Sequence, residues 1–253
     1  MEKWRGKIAV VTGASSGIGA AIVKDLASNG INVIGLARRS DKVEELAREL
    51  SHYEGKIYAR KCDISDYAAL KETFKWIEEK FKVIHILINN AGRGMVGNVL
   101  DSNEETITAI NQIIDLNLKA LINCTREAFR LMKASNDNGF IVNVSSVAGH
   151  SIPFPNQLSI YPSTKHAVTA FSEIIRQELI VNNNDKIRMT NLSPGVVQTE
   201  IFENCGIENT EAFFTLTPHL KPEDISGAVT YLLGTPYHVN VTEMIIKPVG
   251  AKY

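Results

Sequence analysis

Short apolar runs alternate with longer stretches of helical period along almost the whole chain, and few folds accept that rhythm. The runs occupy residues 8–11, 33–36, 57–59, 84–88, 140–144 and 187–192 and are rich in Val and Ile. They are apolar on both faces, as strands must be when helices cover both sides of a sheet. Between them, residues 20–29, 41–50, 67–81, 112–134, 161–181 and 221–233 space their apolar side chains as amphipathic helices do. Residues 244–247 provide a last strand. Strand–helix alternation of this kind forces parallel pairing with right-handed crossovers, so the expected class is α/β, a doubly wound parallel sheet with helices on both faces. Polar clusters at 135–139 and 182–185 are turns between a helix and a strand. No linker, composition break or internal repeat divides the chain, which reads as one domain over residues 1–253.

The first strand ends in Thr12-Gly13-Ala14-Ser15-Ser16-Gly17-Ile18-Gly19, and a helix follows at once. Glycines here let the backbone turn sharply and approach a pyrophosphate with no Cβ in the way. The free N–H groups and dipole of the following helix then hold the anion. The spacing G-x-x-x-G-x-G is one residue longer than the common dinucleotide fingerprint. Its place between strand and helix marks a Rossmann-type fold. After the second strand, NAD-binding versions carry an acid for the adenosine ribose, about 20 residues beyond the loop. This chain has Ala37-Arg38-Arg39 there instead. Arginine offers the planar, multi-donor cation that a 2′-phosphate needs, so the expected cofactor is NADP(H).

Tyr161-Pro162-Ser163-Thr164-Lys165 opens a long helix, and the i, i+4 spacing puts the phenol and the ammonium on one face. Pro162 suits a first helical turn. A nearby ammonium favours a phenolate, so Lys165 is expected to draw the Tyr161 pKa down from about 10 toward neutrality. A tyrosine tuned in this way exchanges a proton with a carbonyl or an alcohol. The run 140–144 ends at Ser145-Ser146, on the carboxyl side of its strand, where open α/β sheets place their ligands. The run 84–88 ends at the same edge in Asn89-Asn90-Ala91-Gly92, and Ser193-Pro194-Gly195 follows the sixth run. Asn117 interrupts a helical pattern in which asparagine is disfavoured.

Together these motifs, in this order, resemble the short-chain dehydrogenase/reductase family over residues 7–247. Within it, Ala37-Arg38-Arg39 and Gly149-His150 resemble the branch of insect NADP-dependent farnesol dehydrogenase-like enzymes and vertebrate family member 11 proteins. The resemblance implies a catalytic set of Asn117, Ser146, Tyr161 and Lys165. Tyr161 would be the general acid/base, Lys165 would bind the nicotinamide ribose, Ser146 would orient the substrate oxygen, and Asn117 would hold a relay water. It further implies cofactor contacts from Gly13, Ser15, Ser16, Gly17, Ile18 and Gly19, with Arg38 and Arg39 at the 2′-phosphate. Asp63 would lie at the adenine with Ile64 beside it, Asn90, Ala91 and Gly92 on the adenosine side, and Pro194, Gly195, Val197 and Thr199 near the carboxamide. Hydride passes directly between nicotinamide and carbon, so no metal is expected. Ser146 stands further from Tyr161 than is commonest in the family, which leaves Ser145 as a rival for its role.

The expected reaction is hydride transfer between NADP(H) and the carbonyl or alcohol carbon of a small substrate. Residues 150–158 and 200–216 would form the substrate loops. Their Ile, Leu and Phe, Phe154 included, either line a pocket for a terpenoid alcohol or steroid or pack the loops onto the domain. A catalytically silent NADP(H) sensor is the alternative, which loss of the tyrosine or lysine would have signalled; an extended epimerase or dehydratase would need a longer chain. A net charge of −1 gives no field that draws nucleic acid or acidic membranes. The 3 cysteines are dispersed and the 6 histidines lack metal-ligand spacing. No run approaches the ~20 apolar residues of a membrane span. The amino terminus enters a strand within a few residues, leaving no room for a leader, and the protein is expected to be cytoplasmic. By resemblance, helices 112–134 and 161–181 would pair across a homodimer or homotetramer interface.

Overall fold

The computed structural model describes residues 1–153, 155–207 and 209–251. Seven parallel strands form one sheet in the order β3-β2-β1-β4-β5-β6-β7. These are β1 (Ile8–Thr12), β2 (Asn32–Ala37), β3 (Ile57–Lys61), β4 (Ile86–Asn89), β5 (Gly139–Val144), β6 (Ile187–Pro194) and β7 (Glu243–Ile246). The central strands β4, β5 and β6 are buried at every position, which is why their runs are continuous rather than alternating.

Successive residues feed opposite faces. Val11 and Val33 join one core with Ile22, Leu26 and Val43, beneath α1 (Gly17–Ser28) and α2 (Ser40–Glu49), and with Val229 and Leu232 of α9 (Pro222–Gly234). Val10 and Ile34 join the other, under α3 (Tyr67–Phe81), α5 (Leu121–Ser135) and α6 (Tyr161–Val181), with Phe74, Ile77, Leu131 and Leu179. Each such side chain, fully buried, contributes about 1.5–3 kcal/mol. The strand order reverses between β1 and β4, so a crevice opens at the carboxyl ends of those two strands.

Several boundaries move. The strand expected at 84–88 starts at Ile86, since Ile84 is core packing ahead of the ladder. The last strand lies one residue earlier than 244–247. The helix expected over 112–134 begins at Glu104, as α4 (Glu104–Ile114), with Asn103 accepting from the Thr106 N–H as its cap. It then widens into a π-helical stretch, Asp115–Ala120, before α5. Within 200–216 lie two short helices, α7 (Ile201–Asn204) and α8 (Thr210–Leu216).

Candidate active site

The crevice is held open by hydrogen bonds between the ends of β1 and β4. Thr12 Oγ1 accepts from the N–H groups of Asn90 (3.0 Å) and Ala91 (3.1 Å). Asn90 Nδ2 donates back to the carbonyls of Thr12 (3.0 Å) and Gly13 (3.3 Å). Asn90 therefore braces the glycine loop with its side chain rather than offering that side chain to a ligand. Gly13 and Gly17 both adopt left-handed φ, +67° and +53°. A Cβ on Gly19 would come within 2.1 Å of the Gly13 carbonyl oxygen, and one on Gly17 within 2.9 Å of Thr199 Cγ2. Helix α1 starts at Gly17, and the Ser16 side chain makes no capping bond to it, so the first-turn N–H groups face the crevice mouth uncapped by a side chain.

The cationic end of β2 frames one side. Arg38 and Arg39 are exposed, and Arg39 Nη2 donates to Ser16 Oγ (3.2 Å) and to Glu200 Oε2 (2.7 Å). Asp63 is exposed and accepts from the N–H and hydroxyl of Ser65, whereas Ile64 is buried in the core behind the sheet. Val197 is likewise a core residue, held by a bridge to Leu220, so only its backbone can reach the crevice.

On the other side the four residues of the implied catalytic set come together. Lys165 Nζ donates to the Val144 carbonyl at the end of β5 (2.9 Å) and lies 5.6 Å from the Tyr161 ring centroid. A Cβ on Gly92 would sit 3.4 Å from Asn117 Oδ1 and 3.7 Å from Lys165 Nζ, which puts Gly92 beside these residues. Asn117 is clamped three ways. Its Oδ1 accepts from Arg93 N (2.9 Å), and its Nδ2 donates to Arg93 O (2.9 Å) and Thr164 Oγ1 (3.2 Å). Those bonds tie the π-helical stretch to the β4 loop and to the first turn of α6, where Thr164 Oγ1 donates to the Tyr161 carbonyl (2.8 Å).

The two serines part company. Ser145 Oγ is buried and donates to the Lys165 carbonyl (3.2 Å). Ser146 Oγ accepts from Ala148 N (3.1 Å), and its hydroxyl opposes the upward shift of the Tyr161 phenol.

Burial dominates the titration of the pair. It pushes Tyr161 up to about 12, and the Cys205 thiol adds to the shift. It brings Lys165 down to about 8. The expected depression of the tyrosine is therefore not what the protein's own groups produce. The ammonium stands toward the ring and the Val144 carbonyl, and desolvation of the phenolate sets the direction of the shift.

Three loops meet above Tyr161. Val96 N donates to the Cys205 carbonyl (3.0 Å), and Gly97 N to the Gln157 carbonyl (3.2 Å). A Cβ on Gly94 would lie 2.5 Å from Cys205 Sγ and 3.9 Å from Tyr161 Cδ2, so thiol and phenol ring crowd the same glycine. Phe202, Phe213 and Phe214 pack on one another at centroid distances of 5.2–5.3 Å, so much of the apolar content of 200–216 holds that segment together. Phe154 lies outside the described residues. Glu200 and Cys205 fall within the loop 200–216 expected to border the site, though nothing singled out either residue there, and Arg93 carried no signal of its own; each arrives from a loop whose path the apolar period does not fix.

Known proteins share this fold. A family model for short chain dehydrogenase matches residues 7–209. Farnesol dehydrogenase of Aedes aegypti is 45% identical, covering 100% of both chains. Dehydrogenase/reductase SDR family member 11 of Homo sapiens is 37% identical over 98% of this chain and 96% of its own. Among solved structures, the closed form of serine dehydrogenase complexed with NADP+ matches with a TM-score of 0.86 at 30% identity, covering 97% of this chain and 96% of that one. With a family model over most of its length and relatives this similar along their whole chains, the chain is an oxidoreductase that belongs to the short-chain dehydrogenase family.

Proposed function

We propose that this enzyme transfers a hydride between NADP(H) and the carbonyl or alcohol carbon of a small apolar substrate, such as a terpenoid alcohol like farnesol or a steroid. The observation that carries the reading is the Tyr161 phenol ring with the Lys165 ammonium 5.6 Å from its centroid, and that ammonium bonded to the Val144 carbonyl at the end of β5, beside the switch-point crevice. The farnesol activity named for the Aedes aegypti relative supports the substrate class.

The residues fit a phosphorylated dinucleotide. Glycines leave the start of α1 open to a pyrophosphate, and Arg38 and Arg39 stand where a 2′-phosphate needs cations. An acid at that position would repel the phosphate. When bound, the nicotinamide supplies or accepts the hydride.

The protein's own groups handle the proton. At neutral pH the Tyr161 hydroxyl is protonated, since burial holds it at about 12. It is thus ready to donate to a carbonyl oxygen that accepts a second hydrogen bond from Ser146. In the opposite direction the phenol must first lose its proton, and the Lys165 ammonium is the cation that favours this. Lys165 would also hold the ribose hydroxyls, and Asn117, fixed by Arg93 and Thr164, keeps the end of that proton path in place.

Tyr161→Phe tests the assignment. Turnover of farnesol or a steroid alcohol, followed by the absorbance of reduced nicotinamide, should fall by about 10²–10⁴-fold, with NADPH binding within about twofold of the wild type. Retained turnover would mean that another group moves the proton.

A further inference from the structure

The arginine assigned above to the 2′-phosphate already has a partner, and that partner begins the substrate loop. Arg39 Nη2 lies 2.7 Å from Glu200 Oε2, and Lys42 Nζ lies 3.6 Å from Glu200 Oε1. Arg39 and Lys42 come from the end of β2 and the start of α2, whereas Glu200 immediately precedes α7 on the far side of the crevice. The ion pair passes over the phosphate loop. Arg39 also donates to Ser16 Oγ, and the neighbouring Thr199 methyl rests against Gly17.

A carboxylate and a phosphate ask for the same donors. Each presents coplanar or near-coplanar oxygens to a guanidinium fork, and two anions cannot share it without repulsion. The pairing with Arg39 holds the Glu200 carboxyl below the usual carboxylate range, so it is ionised throughout the neutral range. The pair is half exposed, with side-chain accessibilities of 48% for Arg39 and 37% for Glu200, so it is weak enough to be exchanged.

We propose that Glu200 is a specificity-determining residue that competes with the cofactor's 2′-phosphate for Arg39 and Lys42, so that seating NADP(H), but not NAD(H), unties the first residue of the α7 segment. The proposal rests on the NADP reading and adds to it. Glu200 lowers the affinity for the phosphorylated cofactor and converts its arrival into freedom of the loop that borders Tyr161. An unphosphorylated adenosine leaves the clasp in place.

The test uses fragments that lack the nicotinamide. Binding of 2′,5′-ADP and 5′-AMP is measured by calorimetry for the full-length wild type, Glu200→Gln, Arg39→Ala and the double variant. Glu200→Gln should tighten 2′,5′-ADP by about 3- to 10-fold while leaving 5′-AMP within about twofold, and the gain should vanish on the Arg39→Ala background. In hydrogen exchange on the wild type, amides 201–205 should exchange faster with 2′,5′-ADP bound than with 5′-AMP bound. If the wild type prefers 2′,5′-ADP but Glu200→Gln leaves that binding unchanged or weaker, the competition is overturned while the NADP reading stands. If the wild type binds both fragments equally, the NADP reading itself falls and the competition with it.

Discussion

Lys165 is 4% exposed, and the only hydrogen-bond partner of its ammonium among the described residues is the Val144 carbonyl. A lone ammonium in that position destabilises the fold, as its fall from 10.5 to about 8 records. Lys165→Met should therefore abolish turnover yet raise the melting temperature by about 2–4 °C near pH 7, measured by calorimetry. The sign of the pH dependence follows. Below pH 8 both folded and unfolded chains hold the proton, and the full cost is present. Between about 8 and 10.5 the unfolded chain keeps a proton that the folded one has released, so folding gains with rising pH. The stability gap between wild type and Lys165→Met should close across that window, and Tyr161, whose contribution above pH 10 has the opposite sign, is common to both and cancels. Replacing both Arg38 and Arg39 with Ala should weaken NADPH by about 10-fold or more and NADH little, and equal losses would refute a 2′-phosphate contact.

At the scale of elements, the loop from β1 to α1 has no slack. Gly19→Ala would place a methyl within 2.1 Å of the Gly13 carbonyl oxygen, so it should cost several kcal/mol by displacing either the turn or α1. Its expected signature is a lower denaturant midpoint together with lost dinucleotide binding; an unchanged midpoint would mean that the loop can yield. This loop was readable beforehand, because left-handed turns and close approaches leave glycines in the sequence. The central strands were readable for a similar reason, since burial on both faces forces runs such as 140–144. The π-helical stretch was not. Its widening goes with the Arg93 backbone clamp on Asn117, a contact between residues far apart in the chain. Helices α7 and α8 also escaped, being too short to establish a period, and Phe202, Phe213 and Phe214 form a local cluster that resembles pocket lining in the sequence. The Tyr161–Lys165 pairing was legible from helical spacing, but its titration was not, because that depends on how dry the surroundings are.

For the molecule as a whole, the flank formed by α4 and α6 keeps apolar side chains in the open. Ile107 and Ile174 are each 52% exposed, and Ile180 61%. Such a face favours self-association, and we expect a dimer or tetramer at micromolar concentration by light scattering, with Ile174→Glu shifting the mass toward one protomer. A wild-type monomer would end that idea. The seam above Tyr161 acts on a different timescale. Main-chain bonds from Val96 to Cys205 and from Gly97 to Gln157 join three separate stretches of backbone beside Tyr161 and Gly94. We predict that substrate entry and product release part and remake them, and such rearrangements are slow beside a proton hop. Throughput should then depend on how easily loops slide through the surrounding liquid, and a turnover number that added sucrose or glycerol leaves unchanged would refute it.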